Sequence, residues 1–338
     1  MKIEMDKALS EFLELEIKAS NTPAFICDEM RVEKIGIHAE LEKVLNWWRT
    51  DAWIPPEMRQ EPRPKCPFCE VLRSSERVFE FCEVISYEPN LYRIIVNNKW
   101  VFPRHCLVVA SECSEHLVTA ERIKLLCTLA KHCPSRMLYL SSRGLGIPWH
   151  FHGHIVKSNY VPPLVRAYFA GQHFTSLVGN VKHSVSEIRY HPWKQWPTTA
   201  QERYIAGWAI RAPDTYLADT LIKVATICSE EIALIANQQA DQQKAGLNTD
   251  LFWGPRVETG GQEFVRTAFV FPRRADSGGH KGRLGATEFV GLFAFNHGKY
   301  FWYSADEAVK DLRETGLPWE YKERAKISGR IRDELQLA

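Results

Sequence analysis

The stretch His150-Phe151-His152-Gly153-His154-Ile155-Val156 places three histidines at alternate positions. In a β-strand, alternate side chains lie on the same face, so the three imidazoles share one face and the residues between them share the other. A folded core does not require a row of polar rings. Imidazole, in contrast, binds metals, transfers protons and attacks phosphorus at neutral pH. The pattern therefore predicts a strand with one functional face.

The composition is that of an ordinary globular protein. Hydrophobic residues make up 45% and charged residues 25% of the 338 residues, and the formal net charge is +2. Such a charge gives no general reason to bind nucleic acid, so we expect no nucleic-acid partner. The first six residues are too charged for a secretory signal, and no apolar run approaches the ~18 residues of a membrane span. We therefore expect a cytoplasmic protein without a membrane partner.

The nine cysteines do not form the pattern of a secreted disulfide framework. Two of them form Cys66-Pro67-Phe68-Cys69, a spacing typical of metal or redox sites in a reducing compartment. A tetrahedral structural zinc site needs two further ligands, and His116 and His150 are the candidates, with Cys113 competing with His116 for the third place. We predict a structural Zn²⁺ held by Cys66, Cys69, His116 and His150. Buried thiols or a redox pair is the alternative interpretation.

Hydrophobic spacing predicts the order of helices and strands. Helices are predicted over 8–17 and 41–48, and the prolines between 55 and 67 disfavour a helix there. The region 78–156 has the pattern of strands interrupted by one helix over 119–132, for which Thr119 is a candidate N-cap. After Pro162-Pro163 we expect polar turns, a strand at 204–210, a helix over 216–239, strands at 251–253, 264–271 and 289–295, and helices over 305–312 and 320–335.

Each half of the chain thus has strands with one main helix between them. This order favours an α+β fold with mainly antiparallel sheets and flanking helices. We divide the chain into an N-terminal helical segment (1–60), a catalytic half with the zinc site (61–165) and a second half with C-terminal helices (166–338).

Four residues before the histidine strand are candidates for binding phosphate. Gly144 and Gly146 would let backbone N–H groups approach an anion closely, and Ser142 and Arg143 would add donors. Turn glycines of no special function are the ordinary alternative. The position directly before three alternating histidines favours a phosphate site.

Two further loops carry candidate binding residues. Asn97 and Asn98 lie between two apolar strands and could hold a ribose or phosphate oxygen, although composition alone favours a hairpin loop. Lys281 and Arg283 lie in the glycine-rich, cationic segment 277–285 and are candidates to close over phosphates. A solvated surface loop is the alternative for that segment.

The histidine strand, the upstream Asn97…Pro103…His105 loop and the glycine-bearing turn resemble the histidine-triad (HIT) superfamily. The C-x-x-C, the chain length and the two-part layout are similar to one branch. That branch contains galactose-1-phosphate uridylyltransferase, diadenosine-tetraphosphate phosphorylase and GDP-L-galactose phosphorylase. The resemblance covers about residues 66–156 and is weaker over 175–300, where the segments 269–274 and 278–285 are similar to the second half of the phosphorylases.

The resemblance implies two HIT-like halves and a two-step transfer. The middle histidine, here His152, would attack the α-phosphorus of a nucleotide or nucleotide-sugar phosphoanhydride, and phosphate or a sugar phosphate would then take the nucleotidyl group from the histidine. His154 stands where these transferases usually carry Gln and the small hydrolases carry His. It would be a phosphate contact or a proton donor to the leaving group. Members of the branch are often dimers, so a homodimer is a possible partner state.

Three alternatives remain open at this stage. The first is a hydrolase of nucleoside phosphoramidates or dinucleoside polyphosphates. The second is a metal-dependent enzyme in which all three histidines bind one ion. The third is a nucleotide-binding regulatory protein without catalysis. The base, the sugar and the acceptor cannot be inferred from the sequence, because specificity depends on pocket shape.

Overall fold

The structure is a computed structural model. It describes residues 2–19, 32–34, 42–46, 66–73, 78–79, 91–97, 102, 104–114, 116–142, 149–157, 161–171, 174–180, 183–188, 205–235, 247–255, 265–274, 284–296, 304–317 and 322–336.

Eight helices lie in the described part of the chain: α1 (Lys2–Ala19), α2 (Pro67–Arg73), α3 (Ala120–His132), α4 (Pro163–Phe169), α5 (Asp214–Ile235), α6 (Ala286–Phe289), α7 (Ala305–Thr315) and α8 (Lys322–Gln336). The strands are β1 (Val32–Lys34), β2 (Glu42–Asn46), β3 (Val78–Phe79), β4 (Tyr92–Val96), β5 (His105–Ala110), β6 (Met137–Leu140), β7 (His152–Val156), β8 (Phe174–Gly179), β9 (Ser184–Ile188), β10 (Trp208–Pro213), β11 (Thr249–Trp253), β12 (Val265–Pro272) and β13 (Leu292–Asn296). Of the helices described, none has the length and apolar character needed to cross a bilayer.

A ten-stranded sheet in the order β3-β4-β5-β7-β6-β11-β12-β10-β9-β8 forms the centre of the fold. All neighbouring strands in it are antiparallel. The first five strands come from residues 78–156 and the other five from 174–272, and they join where β6 pairs with β11. The predicted α+β architecture with antiparallel sheets is confirmed. The proposed boundary at residue 165 falls inside α4.

Helix α3 packs on the face of the sheet opposite the histidine side chains. Its N-cap is Thr119, as predicted, because the Thr119 hydroxyl accepts a hydrogen bond from the Arg122 backbone N–H at 3.3 Å. The helix buries Ile123, Leu126 and Leu129 at helical spacing in the main apolar core. The core therefore lies behind β7 and leaves the other face of that strand for polar side chains.

Arg266 joins the two halves of the sheet behind the site. It belongs to β12, is 1% exposed, and its guanidinium donates to the carbonyls of Ala130, Cys133, Pro134 and Arg136 at 2.7–3.3 Å. These carbonyls lie at and just after the end of α3, where helical backbone lacks internal donors. A cation of the second half thus caps the main helix of the first half.

The structure corrects two predictions of secondary structure. The segment 41–48 contains β2, which pairs antiparallel with β1 and parallel with β13, instead of a helix. The residues after Pro163, expected to be polar turns, form α4 and the hairpin β8–β9. A short apolar run fits helix and strand equally well, and pairing with a distant strand such as β13 decides between them.

Candidate active site and metal site

Strand β7 lies between β5 and β6, which places His152 opposite Val109 and His154 opposite Leu107 and Tyr139. Gly153 faces the other way, and a Cβ added to it would lie 3.0 Å from Val108 Cγ1 and 3.1 Å from a Leu126 methyl. The expected alternation between a polar face and a packed face is therefore present. The close approach of α3 explains why the residue between the two histidines is a glycine.

Cys66, Cys69, Cys113 and His150 bring their ligand atoms within 4.8 Å of one another. His150 Nδ1 lies 3.2, 3.7 and 3.5 Å from the sulfurs of Cys66, Cys69 and Cys113, respectively, and the Cys69 and Cys113 sulfurs are 3.2 Å apart. Cys66 directly precedes α2 and Cys69 lies in its first turn, while Cys113 follows β5. One short helix and the ends of two neighbouring strands therefore assemble the cluster.

The donor set fits a tetrahedral zinc ion. With Zn–S distances of about 2.3 Å, tetrahedral ligand atoms lie about 3.8 Å apart, close to the separations in this cluster. His150 Nε2 donates its hydrogen to the Ala110 carbonyl at 2.7 Å, so Nδ1 presents a lone pair to the three sulfurs. Burial and the thiols of Cys113 and Cys66 raise the pKa of Cys69 to about 12. A divalent cation is the partner that relieves such crowding of thiols.

His116, expected as the third zinc ligand, lies outside this cluster, and Cys113 takes that place. The His116 Nε2–H donates to the Ser141 carbonyl at 2.7 Å, and its Nδ1 accepts the backbone N–H of His152 at 3.2 Å. Its ring lies 4.3 Å from the His152 ring, centroid to centroid. Cys113 and His116 are three residues apart in a loop, so the sequence alone could not tell which of them faces the other ligands.

His152 is held with one ring nitrogen occupied. Its Nδ1 lies 3.0 Å from the His150 carbonyl oxygen, which can only accept, so Nδ1 carries the hydrogen and Nε2 has the lone pair. The side chain is 7% exposed, and burial lowers the pKa of His152 to about 4. The Phe68 ring of α2 lies 5.2 Å from the His152 ring. At neutral pH the residue is therefore an uncharged base with a fixed orientation.

His154 receives a hydrogen bond through a relay of three side chains. Asn97 Nδ2 donates to His105 Nδ1 at 3.1 Å, and His105 Nε2 then donates to His154 Nδ1 at 2.9 Å. Tyr139 stacks on His154 with ring centroids 4.1 Å apart and 8° between the planes. An imidazole that accepts at Nδ1 carries its hydrogen on Nε2, so the relay makes His154 an N–H donor. Asn97 was expected to touch substrate, and the structure places it behind this relay.

Two residues of the site, His105 and Tyr139, were not predicted from the sequence to have a role. His105 is the first residue of β5, and the register places it one strand away from His154. The signal that could have found it is the polar pair Asn97 and His105 at facing ends of two neighbouring strands. Tyr139 sits directly opposite His154 in β6, which only the strand order reveals.

Ser142 begins the glycine-bearing turn and is 1% exposed. Its backbone N–H donates to Asp250 Oδ1 at 2.5 Å. Its buried hydroxyl has no hydrogen-bond partner within the described part of the chain. Six other predicted binding residues lie outside the described residues: Asn98, Arg143, Gly144, Gly146, Lys281 and Arg283.

The three histidines of the strand do not converge on one ion. His150 directs Nδ1 toward the cysteines, whereas His152 uses Nδ1 to bond the His150 carbonyl. In the described ranges, the cluster with Cys66 is the one group of three or more ligand atoms close enough to share a metal, and it includes neither His152 nor His154. The arrangement required for a three-histidine metal site is therefore not formed.

No model of a known protein family matches this sequence, and no curated protein sequence does either. Solved structures do match. The yeast Ap4A phosphorylase superimposes with a TM-score of 0.52 at 12% identity, over 92% of this chain and 97% of that protein. Its complex with Ap4A gives a TM-score of 0.51 at 11% identity, over 93% of this chain and 98% of that protein. A uridylyltransferase gives 0.40 at 13% identity, over 92% and 99%.

These matches cover nearly the whole of both chains, so they concern the entire architecture and not the histidine strand alone. The phosphorylase is a member of the branch that the sequence motif resembles. The resemblance inferred from the sequence is confirmed at the level of the fold: this chain has the fold of the yeast Ap4A phosphorylase.

Proposed function

We propose that this chain is an enzyme, a nucleotidyltransferase or nucleotide phosphorylase, with His152 as its nucleophile. The observation that carries the proposal is the hydrogen bond from His152 Nδ1 to the His150 carbonyl, which leaves Nε2 of an uncharged, buried imidazole with the lone pair. A neutral, oriented imidazole is a good nucleophile toward phosphorus at neutral pH. The fold shared with the yeast Ap4A phosphorylase supports a nucleotide as the substrate.

The proposed reaction has two displacements at the α-phosphorus. In the first, His152 Nε2 forms a bond to phosphorus while the bond between phosphorus and the bridging oxygen breaks, and the electron pair leaves with that oxygen on the departing sugar phosphate or nucleoside polyphosphate. In the second, an oxygen of phosphate or a sugar phosphate attacks the same phosphorus and the N–P bond breaks, which returns the electron pair to Nε2. Two displacements separate one difficult exchange into two easier steps.

The carbonyl of His150 stabilises the charge that the first step creates. When Nε2 bonds to phosphorus, the imidazole becomes cationic, and its Nδ1–H then donates more strongly to that carbonyl. The geometry at Nδ1 does not have to change during the reaction. Such preorganisation is the main electrostatic means by which enzymes lower barriers of this kind.

His154 would serve as a hydrogen-bond donor to a phosphoryl oxygen. The relay from Asn97 through His105 places its hydrogen on Nε2. Glutamine, which the transferases of this branch usually carry here, also offers an N–H donor. The presence of histidine therefore does not by itself require a hydrolase, because the relay gives His154 the donor function of an amide.

Zinc would have a structural role in this proposal. Cys66, Cys69, Cys113 and His150 would hold it, and when bound it would tie α2 and the loop after β5 to the start of β7. The Phe68 side chain of α2 packs against both His150 and His152. The cluster therefore supports the wall of the site that contacts the nucleophile.

The test is to trap the intermediate. The protein is incubated with dinucleoside polyphosphates, ADP-sugars, GDP-sugars and UDP-sugars, and the intact mass is measured under neutral conditions that preserve N–P bonds. We expect one nucleotidyl adduct that maps to His152, is absent in His152→Ala, and disappears when phosphate or a sugar phosphate is added. His183→Asn is the matched control, because His183 is equally buried but lies at the hairpin of β8 and β9.

A HIT-type hydrolase is the second candidate, favoured by the identity of His154. Products decide between the two candidates: an adduct that breaks down equally fast with and without phosphate indicates transfer to water. Turnover without any adduct, or full activity in His152→Ala, would reject both. A cytoplasmic location and a homodimer remain predictions.

A further inference from the structure

A buried ion pair in the second half of the chain contacts the start of the glycine-bearing turn. Asp250 of β11 is fully buried, and its Oδ2 accepts from Arg273 Nη1 at 2.6 Å. Its other oxygen, Oδ1, accepts the Ser142 backbone N–H at 2.5 Å. Arg273 follows β12, is 3% exposed, and also donates to the Leu284 carbonyl at 2.8 Å. Two residues of the second half thus reach the loop that precedes the nucleophile strand.

The dipeptide Ser141-Ser142 is held from three directions. The Ser141 carbonyl accepts from His116, whose other nitrogen accepts the His152 backbone N–H. The Ser141 hydroxyl accepts the backbone N–H of Ala286 in α6 at 2.9 Å. The Ser142 backbone N–H makes the third contact, a hydrogen bond to the Asp250 carboxylate. Two of the three contacts come from the second half of the chain, and the third leads directly to the nucleophile.

The contact with Asp250 determines which group of Ser142 is left for a ligand. Because the carboxylate occupies the backbone N–H, that N–H is not offered to an anion. Among the residues that the structure describes, none bonds the buried hydroxyl, which is therefore the donor left for a ligand. Burial raises the pKa of Asp250, while the Arg273 guanidinium and the Ser142 N–H oppose that rise. A buried carboxylate is costly unless it is paired and hydrogen-bonded, and Arg273 and Ser142 together meet that requirement.

We propose that Asp250 and Arg273 are positioning residues, which fix the Ser142 hydroxyl for contact with the transferred phosphoryl group. The proposal rests on the proposed function for the chemistry, but the placement of Ser142 can be measured without it. The second half of the chain thereby takes part in the reaction at the histidine strand of the first half. The pair acts through Ser142 and does not touch substrate itself.

The test uses two double variants of the pair. Asp250→Leu/Arg273→Met removes both charges and the acceptor for Ser142, and apolar replacements of a buried ion pair commonly leave stability unchanged. Asp250→Asn/Arg273→Gln also removes both charges but keeps an acceptor oxygen, so it should rescue placement. The matched control is Asp6→Leu/Arg136→Met, an ion pair at 2.7 Å between a buried arginine and a partly buried aspartate at the opposite end of β6.

Two quantities are measured for each variant. The first is the hydrogen-exchange rate of the Ser142 amide. We expect it to rise at least about tenfold in the Leu/Met pair, for a lost hydrogen bond of ordinary strength, and to stay near wild type in the Asn/Gln pair and in the control. The second is the rate of adduct formation on His152. We expect a loss of about 100-fold in the Leu/Met pair, as for a misplaced reacting group.

Combination with Ser142→Ala separates positioning from general stability. Ser142→Ala alone should slow adduct formation by about 100-fold. If Asp250 and Arg273 act through the Ser142 hydroxyl, adding Asp250→Leu/Arg273→Met to Ser142→Ala should cause no further loss of rate. Additive losses, or equal losses in the Asp6/Arg136 control, would overturn the positioning role. An unchanged Ser142 exchange rate would overturn it regardless of activity. If the wild-type protein forms no adduct, the proposed function is rejected. The placement of Ser142 by Asp250 and Arg273 is then still tested by the hydrogen-exchange rate of the Ser142 amide.

Discussion

Gly153→Ala adds one methyl group between the two histidines of the site, at the point where β7 approaches α3 most closely. The added Cβ would lie 3.0 Å from Val108 Cγ1 and 3.1 and 3.4 Å from the two Leu126 methyl groups. Carbon atoms in contact prefer about 3.5–4.0 Å, so two of these contacts are too short by about half an ångström. Val108 and Leu126 are both fully buried, so any shift of their side chains must displace further core residues. We expect a net destabilisation of about 1–3 kcal/mol, as is usual for overpacking.

The same substitution should reduce activity more than stability. The strain can be relieved if β7 moves away from α3, and this displaces His152 and His154, which flank the glycine. A shift approaching 1 Å in a reacting group costs about 100-fold in rate. Urea denaturation measures the stability change, and single-turnover adduct formation measures the rate. The double variant Gly153→Ala/Val108→Ala, which removes the closest methyl, should lose less than the sum of the two single variants.

Gly329→Ala is the matched control, since Gly329 lies within α8 and no atom is within 4 Å of an added Cβ. It should raise stability by about 0.5–1 kcal/mol, because alanine is the better helix former, and leave the rate unchanged. Wild-type stability together with wild-type rate in Gly153→Ala would refute the argument that this glycine is required by the close packing of β7 on α3.

Three further predictions concern the donor, the metal and an ion pair. His154→Gln keeps an N–H donor and should retain adduct formation within about tenfold, whereas His154→Ala should lose about 100-fold; equal losses in single-turnover assays would contradict the donor role. Cys113→Ala should lower the zinc content measured by inductively coupled plasma mass spectrometry, because Cys113 lies with the other ligands. His116→Ala should leave the zinc content unchanged, because His116 lies outside the cluster. Burial alone would raise the pKa of Asp6, but the hydrogen bond from Ser135 and the charge of Arg136 outweigh it, so the pKa lies below the ordinary 3.8. The folded state therefore binds that proton more weakly than the unfolded chain, and the stability advantage of wild type over Asp6→Asn should disappear as the pH falls below 3.8; an advantage that persists in acid denaturation would contradict the ion pair.

The functional face of β7 was predictable because it depends only on local periodicity. Alternating histidines in a strand must share a face, and the residues between them must face the core. The N-cap Thr119 and the main helices were predictable for the same reason, since capping and helical spacing are local properties. The C-x-x-C predicted two members of the cysteine and histidine cluster from spacing alone.

The rest of the site depends on strand order, which local patterns do not contain. Tyr139 and His105 are far from His154 in sequence, and each meets it because its strand neighbours β7. The contact of Asp250 with Ser142 requires β6 to pair with β11 across the two halves. The choice of Cys113 over His116 follows from the path of the loop after β5, which the spacing of residues does not determine.

The junction of β6 with β11 has a consequence for how the chain folds. Without the second half, β6 would be a bare edge strand with an apolar sequence, and unpaired edges of this kind favour self-association. The four carbonyls that Arg266 caps would also lose their donor. We therefore expect a chain cut at residue 165 to aggregate instead of folding as an independent domain. We expect the two halves to unfold as a single cooperative unit, because each supplies a strand or a donor that the other half lacks.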